Sequence, residues 1–288
     1  MIGRSSWCRE CLAGALLAIV AGGGCADSVV PEPVAVETRR SVADGVGVGG
    51  ETTADSKAAA VEARISETGR RQQPAIATLR EAGWTVETNG VEEAVLAALE
   101  GAAVGKEPGR LLGELQTLEE IRLWDCADVD DGLVNRLAAL PQLRILVARG
   151  GKLTDGCLES LSQAPKLESL NLGRSAAVTG TGVAGLLAAG RLKRLYLDHT
   201  GLTDAALLSW PIENSLQMIN LNHTSLGDPA AKALGRWHGL KSVFLVDTRI
   251  SVEATGRLRS SLPKCIVFDG RDGPPSAAET TPSRPAPR

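Results

Sequence analysis

The chain has 288 residues, with 31 Lys and Arg against 34 Asp and Glu and a formal net charge of −3. It lacks the basic excess that nucleic-acid binding usually needs, so we expect no nucleic-acid partner. Aromatic residues make up only 3% of the sequence, so a core has to be built from aliphatic side chains.

Residues 1–25 have the pattern of an export signal peptide. Arg4 and Arg9 precede an apolar run over 12–21, which is too short to cross a bilayer, since a span takes about 20 apolar residues. Three glycines and then Cys25 follow. This arrangement resembles a bacterial lipoprotein signal, which implies a lipid on Cys25 and a membrane-anchored place in the cell envelope, on the periplasmic or the surface side. Ordinary cleavage nearby and an uncleaved segment stay open as alternatives.

Two further segments lack the periodicity of a helix or a strand. Residues 26–56 are rich in Val, Glu, Pro, Gly, Ser and Thr, which predicts a flexible tether. Residues 270–288 contain five prolines, which predicts a disordered tail.

The pattern over 57–114 predicts a helical N-terminal cap for the repeats that follow it. Pro74 can begin a helix, and Gly83 can end it. Residues 84–88 alternate as a short strand does, and 91–99 (VEEAVLAAL) predicts a second helix.

From 115 to 269 a segment of the general form L-x-x-L-x-L recurs every 24 or 25 residues. The six opening leucines are Leu118, Leu143, Leu167, Leu192, Leu216 and Leu240. This period and spacing are typical of a leucine-rich repeat solenoid, in which each repeat is a strand half-buried on one side and then a short helix. Asp204, Asp228 and the pair Thr154–Asp155 stand where helix N-caps are expected. Thr200, Thr224 and Thr248 recur at the turn after the strand, where we expect a structural role.

The repeats resemble the bacterial and ribonuclease-inhibitor-like leucine-rich repeat families. The resemblance rests on the strand segments and on runs such as 202–207 (LTDAAL) and 153–158 (LTDGCL), and it covers about 115–268. It implies an α/β solenoid with a curved parallel sheet inside and short helices outside. The family mostly binds proteins, so a non-enzymatic protein-interaction module is implied, with the partner unnamed.

The side chains between the leucines are expected on the concave face of the sheet. Aromatic, Met and Arg side chains stand among them, and these types are enriched at protein interfaces. The predicted partner-binding residues are Arg122, Trp124, Arg149, Asn171, Arg194, Tyr196, Asp198, Met218, Asn220, Asn222 and Phe244. Scattered exposed apolar residues without a role are the alternative interpretation.

His199 and His223 occupy the same position in consecutive repeats, so stacking places them about 5 Å apart. With Asp198 they could hold a metal ion or respond to pH, or both rings could simply be solvated. Recognition of a carbohydrate or cell-wall ligand and a purely structural role also stay open. We find no catalytic or nucleotide-binding signature, and predict no enzyme activity and no cofactor.

Cys126, Cys157 and Cys265 have neither the close paired spacing of a zinc site nor the even number of a disulfide framework. We expect buried thiols that pack as small apolar groups.

Overall fold

The computed structural model describes residues 65–271. The predicted export signal, Cys25, the tether and nearly all of the predicted tail lie outside these residues.

Within the described range, helices and strands alternate along the chain. The strands are β1 Thr85–Thr88, β2 Ala94–Glu100, β3 Glu120–Trp124, β4 Ile145–Arg149, β5 Ser169–Asn171, β6 Arg194–Tyr196, β7 Met218–Asn220, β8 Ser242–Phe244 and β9 Ile266–Phe268. The helices are α1 Glu67–Glu81, α2 Lys106–Glu114, α3 Asp131–Ala138, α4 Leu158–Gln163, α5 Val183–Ala188, α6 Asp204–Leu208, α7 Asp228–Leu234 and α8 Val252–Ser261. A short 3-10 turn over Asp155–Cys157 precedes α4.

The nine strands form one sheet in chain order, from β1 to β9. Only β1 and β2 pair antiparallel, and every later pair is parallel and in register. Equivalent positions of successive repeats therefore lie side by side. This confirms the predicted α/β leucine-rich repeat solenoid.

The repeated leucines form one continuous interior. Each of the six opening leucines is at most 4% exposed, and the next aliphatic positions of the strands, such as Leu195 and Leu197, are fully buried. Together they belong to a single apolar cluster that extends from the first helix to the last strand. Burial of this aliphatic stripe is the main stabilising contribution to the stack.

The predicted helix over 91–99 is wrong, because β2 occupies Ala94–Glu100. Ala and Leu favour a helix in isolation, but here β2 pairs with β1 on one side and with β3 on the other. The hydrogen bonds offered by the edge of the repeat sheet override the local preference. The segment predicted as a helical cap thus contains α1, a β1–β2 hairpin that continues the repeat sheet, and α2.

The start predicted for the first helix is also wrong. The helix begins at Glu67, and Ser66 caps it by accepting the Gly69 N–H through Oγ at 2.8 Å. Pro74 lies inside the helix. The short strand predicted over 84–88 is confirmed as β1.

The aspartates at the helix starts bind the next repeat instead of capping their own helix. Asp204 accepts the Gly227 N–H at 3.0 Å, and Asp228 accepts the N–H and Oγ–H of Ser251 at 2.7 and 2.8 Å. The N-cap of α6 is Thr203, one residue earlier than predicted. The N-cap of α7 is Gly227, whose missing side chain makes no capping bond.

The same contact recurs in earlier repeats. Asp131 accepts the N–H of Thr154, and Asp155 accepts the N–H of Thr179. Thr154 itself caps its own turn as predicted, by accepting the Gly156 N–H at 3.0 Å. A carboxylate in the first helical position therefore joins each of these repeats to the next through its backbone.

We predict that Asp228 makes stability depend on pH in the acid range. The hydrogen bonds from the Ser251 N–H and hydroxyl hold the pKa of Asp228 below its ordinary value of 3.8. Because the folded pKa is lowered, this stabilisation is present above pH 3.8 and is lost as the pH falls through the folded pKa. In urea titrations at pH values from about 7 down to about 3, spanning the Asp range, Asp228→Asn should lose less stability on acidification than wild type. Glu213→Gln, which alters an exposed loop carboxylate, is the control. Equal acid sensitivity of Asp228→Asn and wild type would contradict the prediction.

Candidate functional site

The strand face is the side of the sheet that carries the residues between the buried aliphatic positions. Two rows of side chains run across the strands in register, and one of them aligns Asn171, Tyr196, Asn220 and Phe244. A third row begins with Trp124 and Arg149, which pair in register, and continues at equivalent positions beyond the ends of the shorter strands. The sequence prediction therefore assigned neighbours on this face correctly.

Exposure divides the predicted partner-binding residues into two sets. Five are at most 5% exposed: Arg149, Asn171, Tyr196, Asp198 and Asn220. Six are half-buried: Arg122, Trp124, Arg194, Met218, Asn222 and Phe244. The expectation that all eleven side chains are exposed is wrong for the first set, because neighbouring strands are so close that long side chains cover one another.

An ion pair lies in the middle of the strand face and is almost fully buried. Arg149 Nη2 and Asp198 Oδ2 are 3.1 Å apart, and the two side chains are 5% and 7% exposed. The residues belong to repeats that are two apart, and Gly173 stands between them in the same row. A Cβ on Gly173 would come within 2.6 Å of Asp198 Oδ1. The glycine thus leaves the gap through which the arginine reaches the carboxylate.

Tyr196 is a buried part of the face. Its hydroxyl lies 2.9 Å from the Met218 sulfur, and burial raises the pKa of Tyr196 to about 12. It therefore fills space between strands instead of presenting its ring to a partner.

The buried asparagines brace the turns after their strands. Asn171 Oδ1 accepts the N–H of Gly173 at 2.9 Å, and Asn220 Oδ1 accepts the N–H of Asn222 at 3.0 Å. Asn222 Oδ1 in turn accepts the Val246 N–H at 2.8 Å, from the next repeat. Asn171 and Asn220 thus have a structural role.

His199 and His223 stack face to face, with ring centroids 4.0 Å apart and an interplanar angle of 10°. The nearby carboxylate differs from the predicted one, because Asp198 pairs with Arg149, whereas Asp247 Oδ2 lies 3.1 Å from His223 Nδ1. Among residues 65–271, no group of three or more His, Cys, Asp or Glu side chains could hold a metal ion.

The position that His199 and His223 occupy requires a left-handed backbone. The residue at this position has positive φ in successive repeats: Asp125, Gly150, Arg174, His199, His223 and Asp247. Left-handed backbone suits Gly best, and among other residues it is enriched in Asn, Asp and His. The N–H of His199 donates to Asn222 O at 3.0 Å, so the turn continues the ladder between repeats. Structural demands alone therefore account for much of this column.

Three threonines recur at the turn after the strand in the last repeats. Thr200, Thr224 and Thr248 each donate their hydroxyl to the carbonyl three residues earlier, at 2.7, 2.7 and 2.9 Å. These bonds stay within one repeat, so the threonines brace the turn.

The three described cysteines are free thiols. Cys126 and Cys157 are buried, as expected, and Cys265 is half-buried. Burial raises the pKa of Cys157 to about 12 and that of Cys265 to about 11. A thiol with so high a pKa carries little thiolate at neutral pH, so these groups are poor nucleophiles.

Five of the six half-buried side chains lie toward the two ends of the strand face, and the sixth, Arg194, lies between them on β6. The first patch is Arg122 and Trp124 on β3, where Arg122 Nε pairs with Glu120 at 2.5 Å. The second patch is Met218, Asn222 and Phe244, toward the last strands, where the Phe244 and Phe268 rings meet edge to face at 6.2 Å. The closed middle, formed by the buried ion pair and Tyr196, separates the two patches.

These features define a leucine-rich repeat solenoid with a sheet face that is closed in the middle and accessible at both ends. No family model matches the chain, and a search of curated proteins found no match. Solved structures similar to it include a leucine-rich repeat protein of Leptospira interrogans, with a TM-score of 0.43 and 18% sequence identity. The match covers 62% of this chain and 49% of that protein, so the chain spans about half of the solved protein's length.

None of the helices between residues 65 and 271 has both the length and the apolar character needed to cross a membrane.

Proposed function

We propose that the chain is a non-enzymatic protein-interaction module that binds its partner on the strand face. The observation that carries the proposal is the pair of half-buried patches, which contain aromatic, Met and Arg side chains. Trp and Arg are enriched among the few residues that carry most of the binding energy at protein interfaces, and Phe and Met are enriched at interfaces in general.

The spacing of the patches favours a macromolecular partner. Trp124 on β3 and Phe244 on β8 are five strands apart, which at about 4.8 Å per strand is about 24 Å. A single sugar or a metal ion cannot contact both, whereas a folded protein surface can. The in-register sheet between the patches holds them at a fixed distance, which lowers the entropic cost of binding.

We further propose that the chain is exported and that a lipid on Cys25 anchors it in a bacterial cell envelope, with 26–56 as the tether. The positively charged start, the short apolar run and the glycines before Cys25 support this. The intact mass of the mature protein tests it, because a lipid on Cys25 adds acyl mass that Cys25→Ser abolishes. A mature protein without acyl mass would contradict the anchor.

For the strand face, we predict that Trp124→Ala combined with Phe244→Ala weakens capture of the partner from envelope extracts by at least about tenfold, or 1.4 kcal/mol. The reason is that each patch loses its aromatic anchor. The measurement is affinity capture followed by quantitative mass spectrometry, with urea titration to verify folding. Val91→Ser, which alters an exposed side chain of the N-terminal hairpin, is the control. Unchanged recovery of the same partner by the double variant would refute the strand-face assignment.

A further inference from the structure

The helix side of the solenoid carries a groove that the strand-face function does not use. It has a volume of about 920 Å³ and is lined by α6, α7, α8 and the loop after α6. Its apolar lining includes Leu208, which is 56% exposed, and Ile212, which is 43% exposed. Large apolar side chains this exposed and this close together mark an interaction surface more often than isolated ones do.

Two stacked tryptophans give the groove a firm base. The Trp210 and Trp237 rings lie 6.0 Å apart at 19°, and both residues are nearly buried. Trp210 Nε1 donates to the carbonyl of Gly180 at 3.1 Å, which fixes its ring in place. The groove is therefore preformed and needs little reorganisation to accept a ligand.

The rim of the groove is basic, although the chain as a whole is slightly acidic. Lys232, Arg236 and Arg257 line it and are exposed. Arg257 acts on Asp228 electrostatically and helps to lower the pKa of that carboxyl. Within residues 65–271, the side chains of Lys232 and Arg236 make no ion pair or hydrogen bond. Asp228 is the one carboxylate in the lining, and its oxygens already accept bonds from Ser251. Three cations therefore face one carboxylate that is already occupied.

We propose that this groove binds an amphipathic helix of a partner protein, with apolar residues on one face of that helix and acidic residues beside them. The apolar face would pack on Leu208, Ile212 and the tryptophan base, and the carboxylates would pair with the basic rim. A helix fits better than an extended peptide, because the groove is built from helices and offers no strand edge for backbone pairing. Helix-in-groove recognition relies on apolar anchors at helical spacing.

The probe is a fluorescent peptide of about 18 residues, or five helical turns, with Leu along one face and Glu along the other. Its binding to the full chain is followed by fluorescence anisotropy. We expect saturable binding that weakens with added salt, as screened charge pairs do. Leu208→Ser, and separately the double variant Lys232→Glu and Arg236→Glu, should each weaken it by about tenfold or more.

Matched controls separate this groove from other surfaces. Lys106→Glu alters an exposed cation at the start of α2, and Val91→Ser alters an exposed apolar residue on the N-terminal hairpin. Both should leave binding unchanged. Trp124→Ala should also leave peptide binding unchanged, so that the groove proposal and the strand-face proposal are tested independently. Urea titration of every variant verifies that it is folded.

Several results would overturn the proposal. One is no saturable binding up to about 1 mM peptide, near the weak limit of specific recognition. Another is equal binding of a scrambled peptide of the same composition, or of the same peptide with Lys in place of Glu. A third is binding of phosphatidylglycerol vesicles that depends on Lys232 and Arg236 while the peptide fails to bind, which would assign the surface to a lipid instead of a protein.

Discussion

Replacing Asp198 with Ala is expected to lower the free energy of unfolding by about 3–5 kcal/mol, the usual effect of removing one partner of a buried ion pair. The carboxylate lies 3.1 Å from Arg149, and both side chains are nearly inaccessible to water. Its removal leaves the guanidinium buried without an opposite charge. Urea denaturation followed by far-ultraviolet circular dichroism measures the loss.

Paired variants separate the charge from the packing. Arg149→Met combined with Asp198→Leu removes both charges and keeps much of the volume, so we expect stability close to that of wild type or higher. The double-mutant cycle should show strong coupling between the two positions. A loss below about 1 kcal/mol for Asp198→Ala, typical of exposed pairs, would show that the pair is solvated in solution.

Gly173 tests the same contact sterically. Its Cβ in Gly173→Ala would meet Asp198 Oδ1 at 2.6 Å, and an overpacked site of this kind typically loses about 1–3 kcal/mol. Gly256→Ala in α8 is the matched control, because nothing lies within 4 Å of its added Cβ. Alanine inside a helix should even stabilise by about 0.5–1 kcal/mol.

The repeat architecture could be predicted because its signal is periodic. Six leucines at a spacing of 24 or 25 residues can share one interior only if the repeats stack. The same spacing placed neighbours in register on the strand face. The strand β2 was missed because its Ala and Leu residues favour a helix, and only pairing with β1 and β3 makes the segment a strand.

Side-chain exposure on the strand face could not be predicted from alternation alone. The alternation of apolar and polar residues shows on which side of the sheet each side chain lies. It does not show exposure, because strands about 4.8 Å apart let one side chain cover its neighbours. Arg149, Gly173 and Asp198 in one row did contain a usable signal, since opposite charges on either side of a glycine can meet across it. The aspartates at the helix starts contained another, because each precedes by 23 or 24 residues a Thr, Ser or Gly whose N–H it accepts.

The helix-side groove had no periodic signal. Leu208 and Ile212 fall at the end of a five-residue helix and in the loop after it, where the period of the repeat says nothing about exposure. Their exposure depends on how α6 packs against α7, and that becomes visible only in three dimensions.

Tyr196, the only tyrosine of the chain, offers a direct test of the closed middle of the strand face. Burial raises the pKa of Tyr196 to about 12, so tyrosinate absorbance of the folded protein should have its midpoint near that value. In urea the midpoint should return to about 10, the value of a solvated phenol. Because the folded pKa is raised, the protonated phenol stabilises the fold fully below about pH 10, and this stabilisation is lost as the pH rises toward 12.

Mutation of Tyr196 should agree with the titration. Tyr196→Ala removes a ring that is 2% exposed, and emptying such a site costs about 3–5 kcal/mol. Tyr196→Phe keeps the ring and loses only the contact with the Met218 sulfur, so we expect a loss below about 1 kcal/mol. Phe244→Ala, at a half-buried site, should fall between these values. A folded-state midpoint near 10, or a small effect of Tyr196→Ala, would place the ring in solvent and return Tyr196 to the set of residues available to a partner.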